Sequence, residues 1–262
     1  MNVSRTLVSL AICMIFGLAN PTHGAEESSA IEPEASQVLR QMSDYLGSLE
    51  QFTFRADNTV DMVMPSGQQL QLGARVDIAI RRPNRFRVNR KGDIVDQEIY
   101  FDGQTLTLYG KSVNYYATMK ASETIDIDTG LDFAREEVGV IAPASDLFYR
   151  NAYSGLMEDV ESGMVVGTST VGGVEVHHLA FRGSEVDWQI WIDKGDKPLP
   201  RKYLITSKWI AGAPQFTAVF SDWNTTAKLD DAWFQFTPPP EAEEIGFIPQ
   251  RGDTASGTGE TQ

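Results

Sequence analysis

Most of the chain alternates apolar and polar residues, which is the pattern of β-strands that turn one face toward a core. Short turn sequences separate these stretches, among them Pro65-Ser66-Gly67 and Asp102-Gly103, and strands joined by such turns pair antiparallel. The pattern predicts about a dozen strands. They run over Phe52–Met64, Leu70–Arg82, Arg85–Asn89, Gln97–Phe101, Thr105–Tyr109, Ser112–Thr118, Met164–Thr168, Val174–Arg182, Trp188–Asp193, Arg201–Ser207, Gln215–Trp223 and Trp233–Thr237.

Two stretches follow the helical period instead of the alternating one. In the middle of the chain, residues 123–160 lose strict alternation and predict two short helices, over Leu131–Val140 and Ser145–Tyr153. The predicted fold class is therefore mainly β (α+β), with one N-terminal helix and one mid-chain helical insert. The N-terminal helix opens at Pro33-Glu34, and its apolar stripe consists of Val38, Leu39, Met42, Tyr45, Leu46 and Leu49.

The two ends of the chain depart from both patterns. Residues 1–25 combine a positive charge on Arg5, an apolar run and a small-residue end, the arrangement of a secretory signal peptide, with cleavage after Gly24 or Ala25. No later apolar run is long enough to span a bilayer, so we expect an exported, soluble protein. We expect a flexible leader over 26–33, one domain over 34–250 and a disordered polar tail over 251–262.

The charge balance and the scarcity of metal-binding residues narrow the possible partners. The chain has 36 Asp and Glu against 22 Lys and Arg, which argues against nucleic acid and anionic surfaces as partners. Cys13 is the only cysteine and lies in the signal segment. The neighbouring His177 and His178 point to opposite faces of a strand, so we predict no metal and no cofactor. We expect a monomer.

Known catalytic motifs are missing from the sequence, and we predict a protein that is not an enzyme. A hydrolase that uses two carboxylates leaves little trace in a sequence, so it stays as an alternative. Its candidates are Asp193 and Glu185, near the aromatic residues Trp188 and Trp191.

An arginine ends one of the apolar rows. Val76, Ile78 and Ile80 share one face of their predicted strand, and Arg82 has the same parity. An arginine that faces an apolar interior needs an acceptor or water, because an unpaired buried charge is costly. Two interpretations follow: an ion pair at the sheet edge, which the pattern alone favours, or a charged group at the mouth of an apolar cavity.

Several short motifs resemble those of the bacterial outer-membrane lipoprotein carriers and the related sigma-factor regulator domain. They occur in the same order along residues 34–250, and together they are more specific than any one of them. The chain resembles most an uncharacterised family of predicted periplasmic proteins in that superfamily. The motifs are Arg82-Pro83-Asn84-Arg85-Phe86, Phe101-Asp102-Gly103-Gln104-Thr105-Leu106 with Tyr109, Trp191-Ile192-Asp193, Pro198-Leu199-Pro200-Arg201 and Phe234-Gln235-Phe236-Thr237-Pro238-Pro239.

The resemblance implies a curved antiparallel half-barrel whose concave, apolar face is covered by the helices. It implies a periplasmic binding protein that holds an acyl chain, a lipid or a lipidated partner there, with Arg82 facing the cavity. The alternative is a protein-interaction module or envelope-stress sensor. The candidate ligand-binding residues are Arg82, Val76, Ile78, Ile80, Met62, Met64, Leu106, Leu108, Leu39, Met42 and Leu46.

Overall fold

The computed structural model describes residues 30–136 and 143–247. The predictions for the signal peptide, for residues 26–29 of the leader and for the tail lie outside these ranges. Three α-helices are described: α1 (Pro33–Ser48), α2 (Ile127–Glu136) and α3 (Ala152–Met157). The strands are β1 (Gln51–Val63), β2 (Gln69–Arg81), β3 (Arg85–Gly92), β4 (Asp96–Phe101), β5 (Thr105–Gly110), β6 (Tyr115–Lys120), β7 (Val160–Val171), β8 (Val174–Gly183), β9 (Val186–Asp193), β10 (Pro200–Ser207), β11 (Gln215–Asn224) and β12 (Glu243–Glu244).

Within the described ranges, the twelve strands form one open, curved sheet in the order β12-β6-β5-β4-β3-β2-β1-β11-β10-β9-β8-β7. All neighbours are antiparallel except β12, which pairs parallel with β6. Strand β1 lies near the centre and pairs with both β2 and β11, so it joins two meanders into one sheet. The predicted fold class, mainly β with an N-terminal helix and a mid-chain helical insert, is confirmed.

The helices cover one face of the sheet, which we call the inner face. Helix α1 begins at Pro33, which suits the first helical position because its fixed φ is already helical and no partner is needed for a missing N–H. Its predicted stripe is buried against β7, β9 and α3. The fully buried residues of that stripe are Leu39, Met42 and Leu46.

The mid-chain insert differs in its details from the prediction. Helix α2 begins at Ile127, four residues before the predicted start, because Asp126 accepts a hydrogen bond from the backbone N–H of Thr129 at 3.0 Å and caps the first turn. Residues 137–140 of the predicted helix lie outside the described ranges. The second predicted helix is divided into a 3-10 helix (Ser145–Phe148) and α3, since the Asn151 side chain accepts from Ser154 N and starts a new helix.

The prediction of a last strand over Trp233–Thr237 is wrong. The chain forms a 3-10 helix over Asp231–Phe234 and then runs across the outer face of the sheet. Phe234 packs there beside Ala79, and the ring of Phe236 lies 5.4 Å from that of Tyr100. The aromatic residues therefore bury their rings against the sheet rather than joining its edge, where the prolines that follow cannot donate hydrogen bonds.

No helix in the described ranges is long and apolar enough to cross a membrane.

Candidate binding cavity

A cavity of about 150 Å³ lies between the inner face of the sheet and the mid-chain insert. Its floor comes from β1 to β4 and β11, and its roof comes from α2 and the 3-10 helix Ser145–Phe148. A cavity of this volume with apolar walls is large enough for a benzene-sized group. The apolar lining includes Phe54, Ala56, Val76, Ile78, Ile80, Phe86, Val88, Ile99, Ile127, Leu131, Ala134, Phe148, Phe216, Ala218 and Phe220.

Strand register explains why these side chains meet. Ile78 lies opposite Phe54 on one side and Val88 on the other, and Val88 lies opposite Ile99. Since directly opposed residues point to the same face, one apolar row crosses four strands. Rows of this kind form the floor of the cavity.

Beyond the cavity lining, toward the tip of the β1–β2 hairpin, the inner face becomes exposed. Along β1, the inner-face residues Phe54 and Ala56 are each 3% exposed, whereas Val60 is 37% and Met62 is 41% exposed. Leu70, which pairs with Met62, is 37% exposed as well. We call Val60, Met62 and Leu70 the outer strip, because they lie on the inner face but outside the cavity. It is an apolar continuation of the cavity floor that no helix covers within the described ranges.

Only some of the residues predicted as ligand-binding line the cavity. Val76, Ile78 and Ile80 line the cavity. The helix residues Leu39, Met42 and Leu46 are fully buried in filled core and do not reach it. The rest do not line the cavity either: Leu106 is buried in the core, Leu108 packs against it, Met62 belongs to the outer strip, and Met64 lies in the turn after β1.

Arg82 lies at the seam between the end of β2 and the insert. Its side chain is 4% exposed, its Nη2 donates to the backbone oxygen of Phe148 at 2.9 Å, and its Nη1 lies 4.0 Å from Asp128 Oδ1. Burial lowers the pKa of Arg82, and the charge of Asp128 partly offsets this. Arg82 is not among the residues that line the cavity, and its contacts are those of the ion-pair interpretation.

Two other arginines do line the cavity: Arg135 of α2, which is paired with Asp132, and Arg90 of β3, which the sequence reasoning missed. Strand β3 continues to Gly92, past the predicted end at Asn89, so Arg90 joins Phe86 and Val88 on the inner face. It lies opposite Val76 on β2 and Gln97 on β4. The available signal was parity: Arg90 is two residues after Val88 and four after Phe86, so a regular strand turns all three to one face.

The alternative carboxylate pair does not assemble. Asp193 binds Arg201 with two hydrogen bonds of 2.7 Å, and Glu185 lies at the opposite end of β9. A strand of that length separates them by roughly 26 Å, whereas paired glycosidase carboxylates lie about 5–9.5 Å apart. Trp188 packs in the inner core while Trp191 stacks on His178 at the outer face.

No group of residues suited to hold a metal ion occurs within residues 30–136 and 143–247. His178 stacks on Trp191 and shares a hydrogen bond with Gln189, so its ring has a structural role.

Comparisons with known proteins agree with the periplasmic resemblance. Residues 35–248 match the family model described as "Predicted periplasmic protein (DUF2092)", which confirms the resemblance found in the motifs. No curated protein matches the chain.

Solved structures give distant likenesses. An uncharacterised protein from Thermus thermophilus has a TM-score of 0.47 at 10% identity, over 81% of this chain and 99% of that chain. The Pseudomonas aeruginosa MucA/MucB complex gives 0.43 at 18% identity, over 78% and 61%. A LolA superfamily protein from Nitrosomonas europaea gives 0.36 at 12% identity, over 77% and 97%. We carry no function over from these likenesses.

Proposed function

The chain belongs to the DUF2092 family of predicted periplasmic proteins, and from that premise we propose that it binds an acyl chain or a similar apolar ligand without catalysis. The observation that carries the proposal is the apolar cavity beneath the insert. Its floor continues into the exposed outer strip, so an extended ligand has apolar surface both inside the cavity and beyond it.

An apolar space of this volume is unfavourable for folding alone. At roughly 24 cal/mol per Å³, an unfilled cavity of about 150 Å³ costs about 3–4 kcal/mol relative to a filled core. A ligand that fills it recovers dispersion contacts that the lining otherwise lacks. The cavity is smaller than the roughly 300–1,000 Å³ of pockets that enclose drug-sized ligands, so it suits one end of a chain.

Binding of a fluorescent fatty-acid probe, together with mass spectrometry of lipid that co-purifies from the periplasm, tests the proposal. The wild-type protein is expected to bind the probe and to carry lipid. Ala218→Leu fills space in the cavity and is expected to weaken probe binding at least tenfold. Val219→Leu, on the outer face of the same strand, is the matched control and is expected to bind as the wild type does.

The proposal fails if the folded wild type neither binds the probe nor carries lipid. Thermal unfolding of both variants shows whether each is folded, so that loss of binding in Ala218→Leu is not mistaken for loss of structure.

A second function, docking of a partner protein, is favoured by one observation. Val60, Met62 and Leu70 are exposed side by side on the inner face, and an apolar patch of this kind is suited to a protein contact. Site-specific crosslinking from position 62 in cells distinguishes the two functions. A lipid adduct supports the first function, and a protein adduct that survives in the Ala218→Leu variant supports the second.

A further inference from the structure

Arg90 differs in its partners from arginines on other strands of the sheet. Arg55 donates to Asp77 at 2.8 Å, Arg75 to Asp57 at 2.9 Å and Arg201 to Asp193 at 2.7 Å. Within the part of the chain that the structure describes, Arg90 has no hydrogen bond or ion pair, and its Nε is buried without an acceptor. Among residues 30–136 and 143–247, it is a cation without a counter-charge in a largely apolar wall.

This arrangement is unfavourable unless something outside the described residues supplies an acceptor. A guanidinium stays protonated in proteins, so it cannot escape the cost of burial by losing its proton. Burial lowers the pKa of Arg90, and no neighbouring acid offsets that effect. Since the described residues supply no acceptor, water or a ligand can take that place.

Arg90 lies at the boundary between the two apolar parts of the inner face. On its deeper side is the row that contains Ile78, Val88 and Ile99. On its other side lie Asn58, whose Oδ1 is also buried without a partner, and then the outer strip. Arg90 and Gln97 lie opposite each other, and Asn58 lies one row nearer the hairpin tip, so three polar side chains interrupt an otherwise apolar floor.

We propose that Arg90 binds the anionic head group of the ligand, and that the ligand is a single-chain anionic amphiphile whose tail lies partly in the cavity. This inference rests on the function proposed above and specifies its ligand class. A guanidinium matches carboxylate and phosphate oxygens with two parallel hydrogen bonds. One such molecule would contact the apolar lining with its tail and pair with the Arg90 guanidinium through its head group.

Three ligands with the same ten-carbon chain test the inference: decanoate, decyl phosphate and decanol, each measured by titration calorimetry. Because hydrogen bonds to charged groups are the stronger ones, the wild type is expected to bind at least one anion about 10- to 100-fold more tightly than the alcohol. Which anion is preferred distinguishes a carboxylate from a phosphate head. Arg90→Met is expected to reduce anion binding to the level of decanol and to leave decanol binding unchanged.

Arg75→Met is the matched control, since it removes an arginine from the outer face of the neighbouring strand. It is expected to keep the anion preference. Arg90→Gln repeats the test with a neutral polar side chain should the Met variant not fold. If the wild type binds decanol as tightly as the anions, or if both Arg90 variants keep the preference, the role of Arg90 is refuted while the binding function stands. If none of the three ligands binds the wild type, both fall.

Discussion

The N-terminal helix α1 and the mid-chain insert both cover the inner face of the sheet, but they pack against it differently. Under α1, large side chains fill the space: Leu39, Met42 and Leu46 pack with Ile190 and Ile192, and all are fully buried. We call this the filled half. Under α2 and the 3-10 helix Ser145–Phe148, the space is left partly open, and we call this the hollow half.

The difference lies in side-chain volume at the helix faces rather than in the backbone. Helix α2 buries Ile127, Gly130 and Ala134, of which two are small. A Cβ on Gly130 would lie 2.7 Å from Cε1 of Phe101, so this glycine lets the helix approach the sheet closely at one point. Beside that contact, Ala134 and Leu131 roof the cavity without filling it. A helix face with small residues therefore leaves open space under the insert where α1 leaves none.

The largest expected effect compares one leucine from each half. Leu39→Ala in the filled half is expected to lower the free energy of unfolding by about 2–5 kcal/mol, because it leaves a void in packed core. Leu131→Ala, in the roof of the hollow half, is expected to cost about 1 kcal/mol, since one side of that residue already faces empty space. Urea denaturation measures both. Equal losses would mean that the two halves are packed alike.

The two inner-face arginines give the next comparison. Arg82→Leu is expected to cost about 1–3 kcal/mol, because the Phe148 carbonyl loses its buried donor and Asp128 loses a nearby positive charge. Arg90→Leu is expected to leave the stability of the ligand-free protein unchanged or to raise it, as it removes a cation with no partner in the described ranges. Thermal unfolding of the two variants side by side measures the contrast, and a larger loss at Arg90 would contradict it.

Alternation was sufficient to predict the sheet, since each strand has a buried and an exposed face with a period of two. It also placed Val76, Ile78 and Ile80 on one face, and the structure has them together in the cavity lining. Arg82 lies just past the end of β2, and its guanidinium contacts Phe148 and Asp128. Alternation did not distinguish core from cavity lining. Leu39 and Ile78 are equally apolar, but Leu39 lies in filled core and Ile78 lines the cavity, because the side chains that pack against them differ in volume. That information comes from tertiary packing, not from local pattern.

The C-terminal segment shows a second limit of the pattern. Trp233 to Thr237 alternates like a strand, but Phe234 and Phe236 pack on the outer face while Trp233 stays exposed. There the ring of Phe236 contacts Tyr100, Tyr109 and Tyr116. A short alternating run predicts which side chains are buried. It does not predict whether the segment pairs as a strand at the sheet edge or packs across a face of the sheet. The following prolines were the sign that pairing would stop.

The smallest expected effect is a difference in pH dependence between two carboxylates, one at the seam of the hollow half and one on the outer face. Burial raises the pKa of Asp128, although the N–H of Arg150 and the charge of Arg82 oppose it. A carboxyl whose pKa is higher in the folded state than in the unfolded state stabilises the protein at low pH, and this contribution is lost as the pH rises through that higher value. Asp128→Asn is therefore expected to remove a fall in stability above the ordinary Asp pKa.

Glu98 is the matched control because its shift has the opposite sign. Burial alone would raise its pKa, but hydrogen bonds from Lys111 and Tyr100 and the charge of Arg87 outweigh it, so the pKa is lowered. The stability that Glu98 contributes is present above its unfolded pKa and is lost as the pH falls, so Glu98→Gln is expected to cost most at neutral pH. For Asp128, whose side chain is 35% exposed, water screening keeps the effect below about 1 kcal/mol. Unfolding curves between pH 3 and pH 7 measure both slopes. Slopes of the same sign would show that burial does not outweigh the N–H of Arg150 and the charge of Arg82 at Asp128.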